Sequence, residues 1–235
     1  MTMQRKASAS RPPRKTASRA SSDIIGFANS IDGSFLSIVF PDQRESSFGK
    51  LLTAAVECFA RNGYHGTSTR DIAREARMSS AALYVHFRTK NELLYKIALV
   101  MARSMLQDLR DVDKPDASPA ERLAALIRSY VRCIAQMNTA VRVATFEFAA
   151  LNKDQQRVLS EIRAEVNAII TSCLEAGCES GDFRIDDIPL MRLAIMSLCI
   201  TVCQWYRPDR ALAPEELANE YAAIVLRMVG AANAA

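Results

Sequence analysis

The chain has 235 residues, 49% of them hydrophobic, so it can bury the core of one or two domains and is not disordered along its whole length. Only 7% of residues are aromatic and eight are glycine, while Ala, Leu, Arg and Glu are plentiful, a balance that favours an all-α fold over strands and turns. The net charge of +4 is unevenly divided: residues 1–90 carry fourteen Lys or Arg against seven Asp or Glu, and the remainder sixteen against nineteen, so the front part is the one suited to a polyanion.

Residues 1–22 hold Ser, Ala, Pro, Lys and Arg without a single acid, a composition that cannot offset its ordering entropy. The apolar pieces IIGF and FLSIVF that follow are too short and broken to form a core element, so residues 1–44 are expected to be a disordered basic extension. From Ser46 the pattern changes. Leu52, Ala55, Val56 and Phe59 recur at helical spacing until Asn62-Gly63 supplies a left-handed stop. Ser68 and Asp71 form a capping-box-like pair that opens a short second helix through Ala76, with Ile72 and Ala73 turned inward. After the turn at Arg77-Met78, Ser79 can cap a third helix, Ser80 to His86, whose Leu83 and Phe87 share the packing face and leave Ser80, Ala81 and Tyr84 outward. Thr89 and Glu92 make another capping box, at the start of a long helix toward Leu109. Beyond the break at Asp113 to Pro119, helices are expected over Pro119 to Gln136, Ala140 to Leu151, Asp154 to Gly177, Ile188 to Tyr206 and Pro214 to Val229.

Two short helices joined by a tight turn, with small and polar residues on the second, suit the major groove of double-stranded DNA, which admits an α-helix and displays distinguishable base edges. Ser79 opens that helix, and the small side chains of Ser80, Ala81 and Ala82 let its backbone approach closely. Tyr84, His86 and Lys90 stand just beyond, suited to phosphate bonds that fix register, and Arg70 can reach a base or the backbone. Taken singly, Tyr84 reads as a packed surface aromatic, His86 as a turn residue and Lys90 as a solvated helix start; their joint spacing points to DNA.

The stretch AAVECFARNGYHGTSTRDIAREARMSSAALYVHFRTKNELL resembles the DNA-binding domain of TetR-type regulators. It carries their A-x-x-x-F-x-x-x-G-Y, T-[ST]-x-x-x-I-A and LY-x-HF-x-[ST]-K-x-x-L features in order, over about one quarter of the chain. The resemblance implies that Tyr84, His86 and Lys90 contact the DNA backbone or nearby bases, and that Arg70, Ser80 and Ala81 read bases. It departs at Arg77, where these proteins usually have glycine in the turn, and at Ser80, where many carry a basic residue. The resemblance divides the chain into a helix-turn-helix domain at residues 45–98 and a larger helical effector-binding and dimerisation domain at residues 99–235. In such proteins the last two long helices make a four-helix dimer interface, here Ile188 to Tyr206 and Pro214 to Val229. The phrases GDFR at Gly181 to Arg184 and WYRP at Trp205 to Pro208 are similar to those in a subgroup that includes regulators of fatty-acid and steroid catabolism, some responsive to acyl-CoA thioesters.

The expected function is therefore a homodimeric repressor released from its operator by a small, largely apolar effector. A pocket lined by Met137, Phe146, Phe148, Ile169 and Met196 would accept such a ligand, with Arg142 or Arg163 for an anionic group; the same stripes also read as plain core. Control by a protein partner or by cysteine oxidation is the alternative. Cys199 and Cys203 stand one turn apart and suit either a redox pair or a packed face, the latter being the commoner use. The six cysteines form no C-x-x-C pair and only two histidines accompany them, so neither metal nor cofactor is expected. Phosphate-loop, nucleophile-elbow and metal-spaced histidine motifs are lacking, and Asp186-Asp187 reads as a helix cap, so no enzyme is expected. No apolar run of the roughly 18 to 20 residues that cross a bilayer is foreseen, nor a secretory core after the basic opening, which leads to a cytoplasmic protein without a membrane partner.

Overall fold

The structure, a computed structural model, describes residues 46–207 and 212–231, and over these it is helical with no strand. The expected disordered extension and Pro208 of the WYRP phrase lie outside the described residues. The helices are α1 Ser47–Asn62, α2 Thr69–Glu75, α3 Ser80–His86, α4 Lys90–Val112, α5 Pro119–Gln136, α6 Asn138–Phe146, α7 Lys153–Glu179, α8 Ile188–Ile200, α9 Val202–Trp205 and α10 Pro214–Met228, with a 3-10 turn at Phe148–Ala150.

The first four helices start where a hydroxyl can take an orphan backbone donor. Ser46, Ser68, Ser79 and Thr89 accept from the N–H of Gly49, Asp71, Ala82 and Glu92, respectively. Between α2 and α3 the chain reverses in a Schellman turn: Arg77 N–H donates to Arg74 O (3.0 Å) and Met78 N–H to Ala73 O (2.8 Å). Arg77 sits at the left-handed position of that turn with φ 55°, where glycine is the usual residue.

Behind this head, α5 is the central rod. Leu123, Leu126, Ile127, Tyr130, Val131 and Ile134 are buried along it, and α4 and α6 to α10 all pack on it, α10 most extensively. Its entry is fixed by a buried ion pair. Arg122 donates from Nε to Asp113 Oδ1 (2.6 Å) and from Nη2 to Asp113 Oδ2 (3.2 Å) and Ser172 Oγ (3.1 Å), tying the loop before α5 to α7. The side chain of Arg122 is 7% exposed, and among the described residues no buried side-chain N or O lacks a partner.

Several expectations need correction. The helix foreseen over Ala140 to Leu151 runs instead from Asn138 to Phe146 and tightens into the 3-10 turn, because Gln156 Nε2 donates to Phe148 O (3.2 Å) and Leu151 O (2.9 Å) and folds this corner onto α7. The helix foreseen over Ile188 to Tyr206 is divided into α8 and α9 at Thr201, whose hydroxyl donates to Leu198 O (2.7 Å). The two domains are expected to meet at residues 98–99, and α4 runs unbroken across that point. The expectation about apolar runs also fails: Ile188–Trp205 is 18 residues long with a mean hydropathy of 1.5, enough by length and composition for a membrane span. This stretch packs on α5 and α7 and leaves Leu190 and Leu193 exposed.

Candidate nucleic-acid interface and cavity

The face of α3 turned from the protein is built from helical phase alone. Leu83, and Phe87 just beyond the helix, bury themselves against α1 and the core, which leaves Ser80, Ala81, Tyr84, Val85 and His86 exposed. Tyr84 OH lies 3.1 Å from Thr69 Oγ1 on α2, a hydrogen bond that fixes the phenol across the two helices. Phe48 of α1 stacks on Phe87 (ring centroids 5.4 Å apart) and meets His86 edge-on (6.4 Å). Arg70 is exposed on α2. Of the expected DNA contacts, Arg70, Ser79, Ser80, Ala81, Tyr84 and His86 are exposed, with Ser79 also serving as the cap of α3. Ala82 is half-buried. Val85 was missed, although it stands one turn after Ala81 and is 80% exposed.

Lys90 is placed otherwise than expected. Its ammonium donates to Tyr64 O (2.8 Å) and Thr67 O (2.9 Å) and lies 4.3 Å from the Tyr64 ring centroid. It clamps the loop after α1 to the first turn of α4, and two of its three donors are taken by the protein's own carbonyls. Glu57 on α1 interacts with Glu75 on α2, and Arg61 Nη1 reaches Glu75 Oε2 at 3.3 Å. Burial, then the Glu75 carboxylate, raises the pKa of Glu57; the hydrogen bond from Arg61 lowers that of Glu75.

A cavity of about 370 Å³ opens among α4 to α8, within the size range of small-molecule sites. Met101, Tyr130, Leu159 and Met196 supply apolar wall, while Arg163 and Phe148 stand together, the guanidinium 4.4 Å from the ring centroid. Desolvation lowers the pKa of Arg163 from its ordinary value, although the residue as a whole is exposed. Of the seven expected pocket residues, Phe148, Arg163 and Met196 line this cavity. Met137, Arg142, Phe146 and Ile169 do not. Met137 is buried at the end of α5, and Phe146 is 58% exposed at the end of α6. Arg142 and Ile169 fall out of phase with the wall: Val141, Ala144 and Thr145 face the cavity from α6, and Ile162, Val166 and Asn167 from α7. Ala98, Met101, Ala102 and Met105 of α4 were missed, because a wall stripe on a helix has the same period as a core stripe.

The corner carrying Phe148 also holds the head. Glu147 Oε1 accepts from Tyr64 N–H (3.0 Å), just after α1, and Asn91 Nδ2 in the first turn of α4 donates to Ala150 O (2.9 Å). The corner from Glu147 to Ala150 therefore touches both the cavity and the reading head.

The cysteines give no support to an oxidation switch. Cys199 and Cys203 are buried, and burial pushes Cys199 up to about 12 and Cys203 above its ordinary value, so neither presents a thiolate at neutral pH. The GDFR and WYRP phrases have structural uses. Phe183 packs where a side chain on Gly177 would stand, with a Gly177 Cβ only 2.0 Å from its ring, and Arg184 N–H donates to Val229 O (2.8 Å). Trp205 stacks on Tyr221 of α10 with ring centroids 6.4 Å apart, and the buried Tyr206 donates its hydroxyl to Leu212 O (3.0 Å). Among the described residues no group of three or more His, Cys, Asp or Glu could hold a metal ion.

Comparison with known proteins gives two family matches: bacterial regulatory proteins of the tetR family over residues 51–97, and the tetracycline-repressor-like C-terminal domain over residues 116–229. The crystal structure of a tetR-family bacterial regulatory protein from Rhodococcus RHA1 is 35% identical, with a TM-score of 0.75 over 80% of this chain and 100% of that one. The transcriptional repressor KstR2 of Mycobacterium tuberculosis is 29% identical over 78% of this chain and 93% of its own. The fatty acid metabolism regulator of Bacillus subtilis is 25% identical over 75% and 92%.

Proposed function

This chain belongs to the TetR family of bacterial regulatory proteins, and from that premise we propose that it is a homodimeric repressor that a small, largely apolar effector releases from its DNA operator. In this reading residues 45–98 are the reading head and residues 99–235 bind the effector and the second copy. Arg70, Ser79, Ser80, Ala81, Tyr84 and His86 meet the DNA, and their common exposure around α3 supports that assignment. Phe148, Arg163 and Met196 meet the effector. An acyl-CoA or related lipid-like metabolite suits the apolar walls, and the similarity to the fatty acid metabolism regulator of Bacillus subtilis is consistent with it.

The second copy is expected on α8 and α10. Leu190 and Leu193 are 61% and 56% exposed on α8, and Ala223, Ile224 and Met228 leave an apolar strip partly open on α10. The observation that carries effector control is the corner at Glu147 to Ala150, which contributes Phe148 to the cavity and holds the head through Glu147 and Ala150. A ligand that competes for Arg163 or displaces Phe148 strains these two bonds, favouring a head separation unsuited to half-sites roughly 34 Å apart.

The test is selection of bound duplexes from a random pool, then fluorescence anisotropy on the selected operator with a series of acyl-CoA thioesters. The expected result is a palindrome whose affinity falls at least tenfold with one chain-length class. A non-palindromic target, a monomer in sedimentation, or an affinity indifferent to every thioester each removes its part of the reading. Leu190→Glu is expected to yield monomers that lose the operator.

A further inference from the structure

The α3 helix, SAALYVH, contains no Arg, Lys, Asn or Gln, the side chains that form two-pronged hydrogen bonds with guanine or adenine. What it does present is an apolar strip. Ala81 and Val85 are one turn apart on the same edge, and Val85 is 80% exposed, more than any other large apolar side chain among the described residues. It is β-branched, so in a helix it keeps essentially one rotamer and projects as a fixed prong. Beside it Tyr84 is held by the 3.1 Å contact with Thr69, and so does not fold over the strip. The major groove offers one apolar group to such a strip, the C5-methyl of thymine.

We infer that Ala81 and Val85 read thymine methyl groups, so that this regulator selects its half-site in the α3 footprint by apolar contact rather than by hydrogen bonds to purines. The two residues are about 6 Å apart along the helix, close to two base steps of roughly 3.4 Å, which places the recognised thymines within about two steps of each other. The polar members of the face then have separate duties: Ser80 and Tyr84 flank the strip, and Arg70 approaches from α2. This inference rests on the DNA-binding reading above and adds the chemistry of its base recognition.

The test uses the full-length protein and its selected operator. Each half-site thymine is replaced in turn by uracil, which removes the methyl and keeps every hydrogen-bonding edge. Symmetric replacement in both half-sites is expected to weaken binding about tenfold or more at one or two positions, at about fourfold per buried methyl, and to leave the other positions unchanged. Val85→Ala is expected to weaken the thymine operator similarly and to bind the uracil and thymine forms equally at the position Val85 covers; because this side chain is exposed, its thermal unfolding should match the parent. Uracil tolerance at every position, half-sites with only G·C pairs under α3, or a Val85→Ala variant that keeps the full methyl dependence overturns the inference while leaving the regulator intact. A parent protein that binds no selected duplex overturns the DNA-binding reading itself.

Discussion

The head of α1 to α3 and the bundle behind it differ in how far local chemistry fixes their shape. In the head, short helices are set by local chemistry: Ser46, Ser68, Ser79 and Thr89 cap four helices in succession, and a Schellman turn joins α2 to α3. The bundle helices are capped as well, by Ser118, Asn152 and Asp187, and long-range partners then set their positions, as where Arg122 of α5 bonds Ser172 of α7. A locally determined head can change the residues on its exposed face without refolding. A bundle determined by burial can change its cavity only by repacking, and so that part carries few short motifs.

The strongest way to break this comparison is to cut the bundle at its ion pair. Arg122→Ala leaves the Asp113 carboxylate without its partner and is expected to lower the unfolding free energy by about 3–5 kcal/mol in urea titration. A loss below about 1 kcal/mol would mean that the loop before α5 is held by something other than this pair. The head should show the reverse pattern. Tyr84→Ala is expected to reduce operator affinity by about 1–3 kcal/mol, roughly fivefold to 150-fold, while the melting temperature stays put; a variant that binds as well as the parent removes Tyr84 from the interface.

A smaller effect is expected in the turn. Arg77 at φ 55° carries the cost of a left-handed side-chain residue, so Arg77→Gly should stabilise the protein by about 1 kcal/mol, seen as a melting temperature a few degrees higher. An unchanged or lower melting temperature would show that the turn holds arginine without strain. The smallest effect concerns pH. A pKa of Glu57 raised on folding means that the folded state binds its proton more tightly than the unfolded one. Stability from this group therefore falls as pH rises from the unfolded value through the folded one, and its penalty is complete at neutral pH. Glu75, with its pKa lowered, acts in the opposite sense and loses its contribution as pH falls. Glu57→Gln is expected to gain about 0.5 kcal/mol at pH 7 after solvent screening, with the gain vanishing toward pH 4. A gain that grows on acidification contradicts the assignment.

How much was legible follows the same division. The caps, the three short helices and the outward phase of Ser80, Ala81 and Tyr84 could be read because each depends on residues three or four places away. Val85 was equally readable from its spacing to Ala81 and was passed over because an apolar residue is ordinarily assigned to the core. Lys90 was not readable, since its two carbonyl partners are 23 and 26 residues earlier. The cavity was found only in part: the stripe on α4 that includes Met101 and Met105 has the same period whether it faces a void or a packed neighbour, and no local signal separates Arg163, which lines the void, from Arg142, which does not. The break at Thr201 was hidden because the residues on both sides keep a helical, apolar pattern.

The unbroken run of α4 through both parts has a mechanical consequence. Its 23 residues make a rod about 35 Å long, with Met101 and Met105 against the cavity, Lys90 clamped to the head and Asn91 bonded to Ala150. Such a rod is a lever arm. A tilt of about 5° about Met105, roughly 22 Å from Lys90, displaces the head end by about 2 Å, more than half of a base step of roughly 3.4 Å, so in the proposed dimer a small movement of side chains at the cavity would shift each head against the duplex.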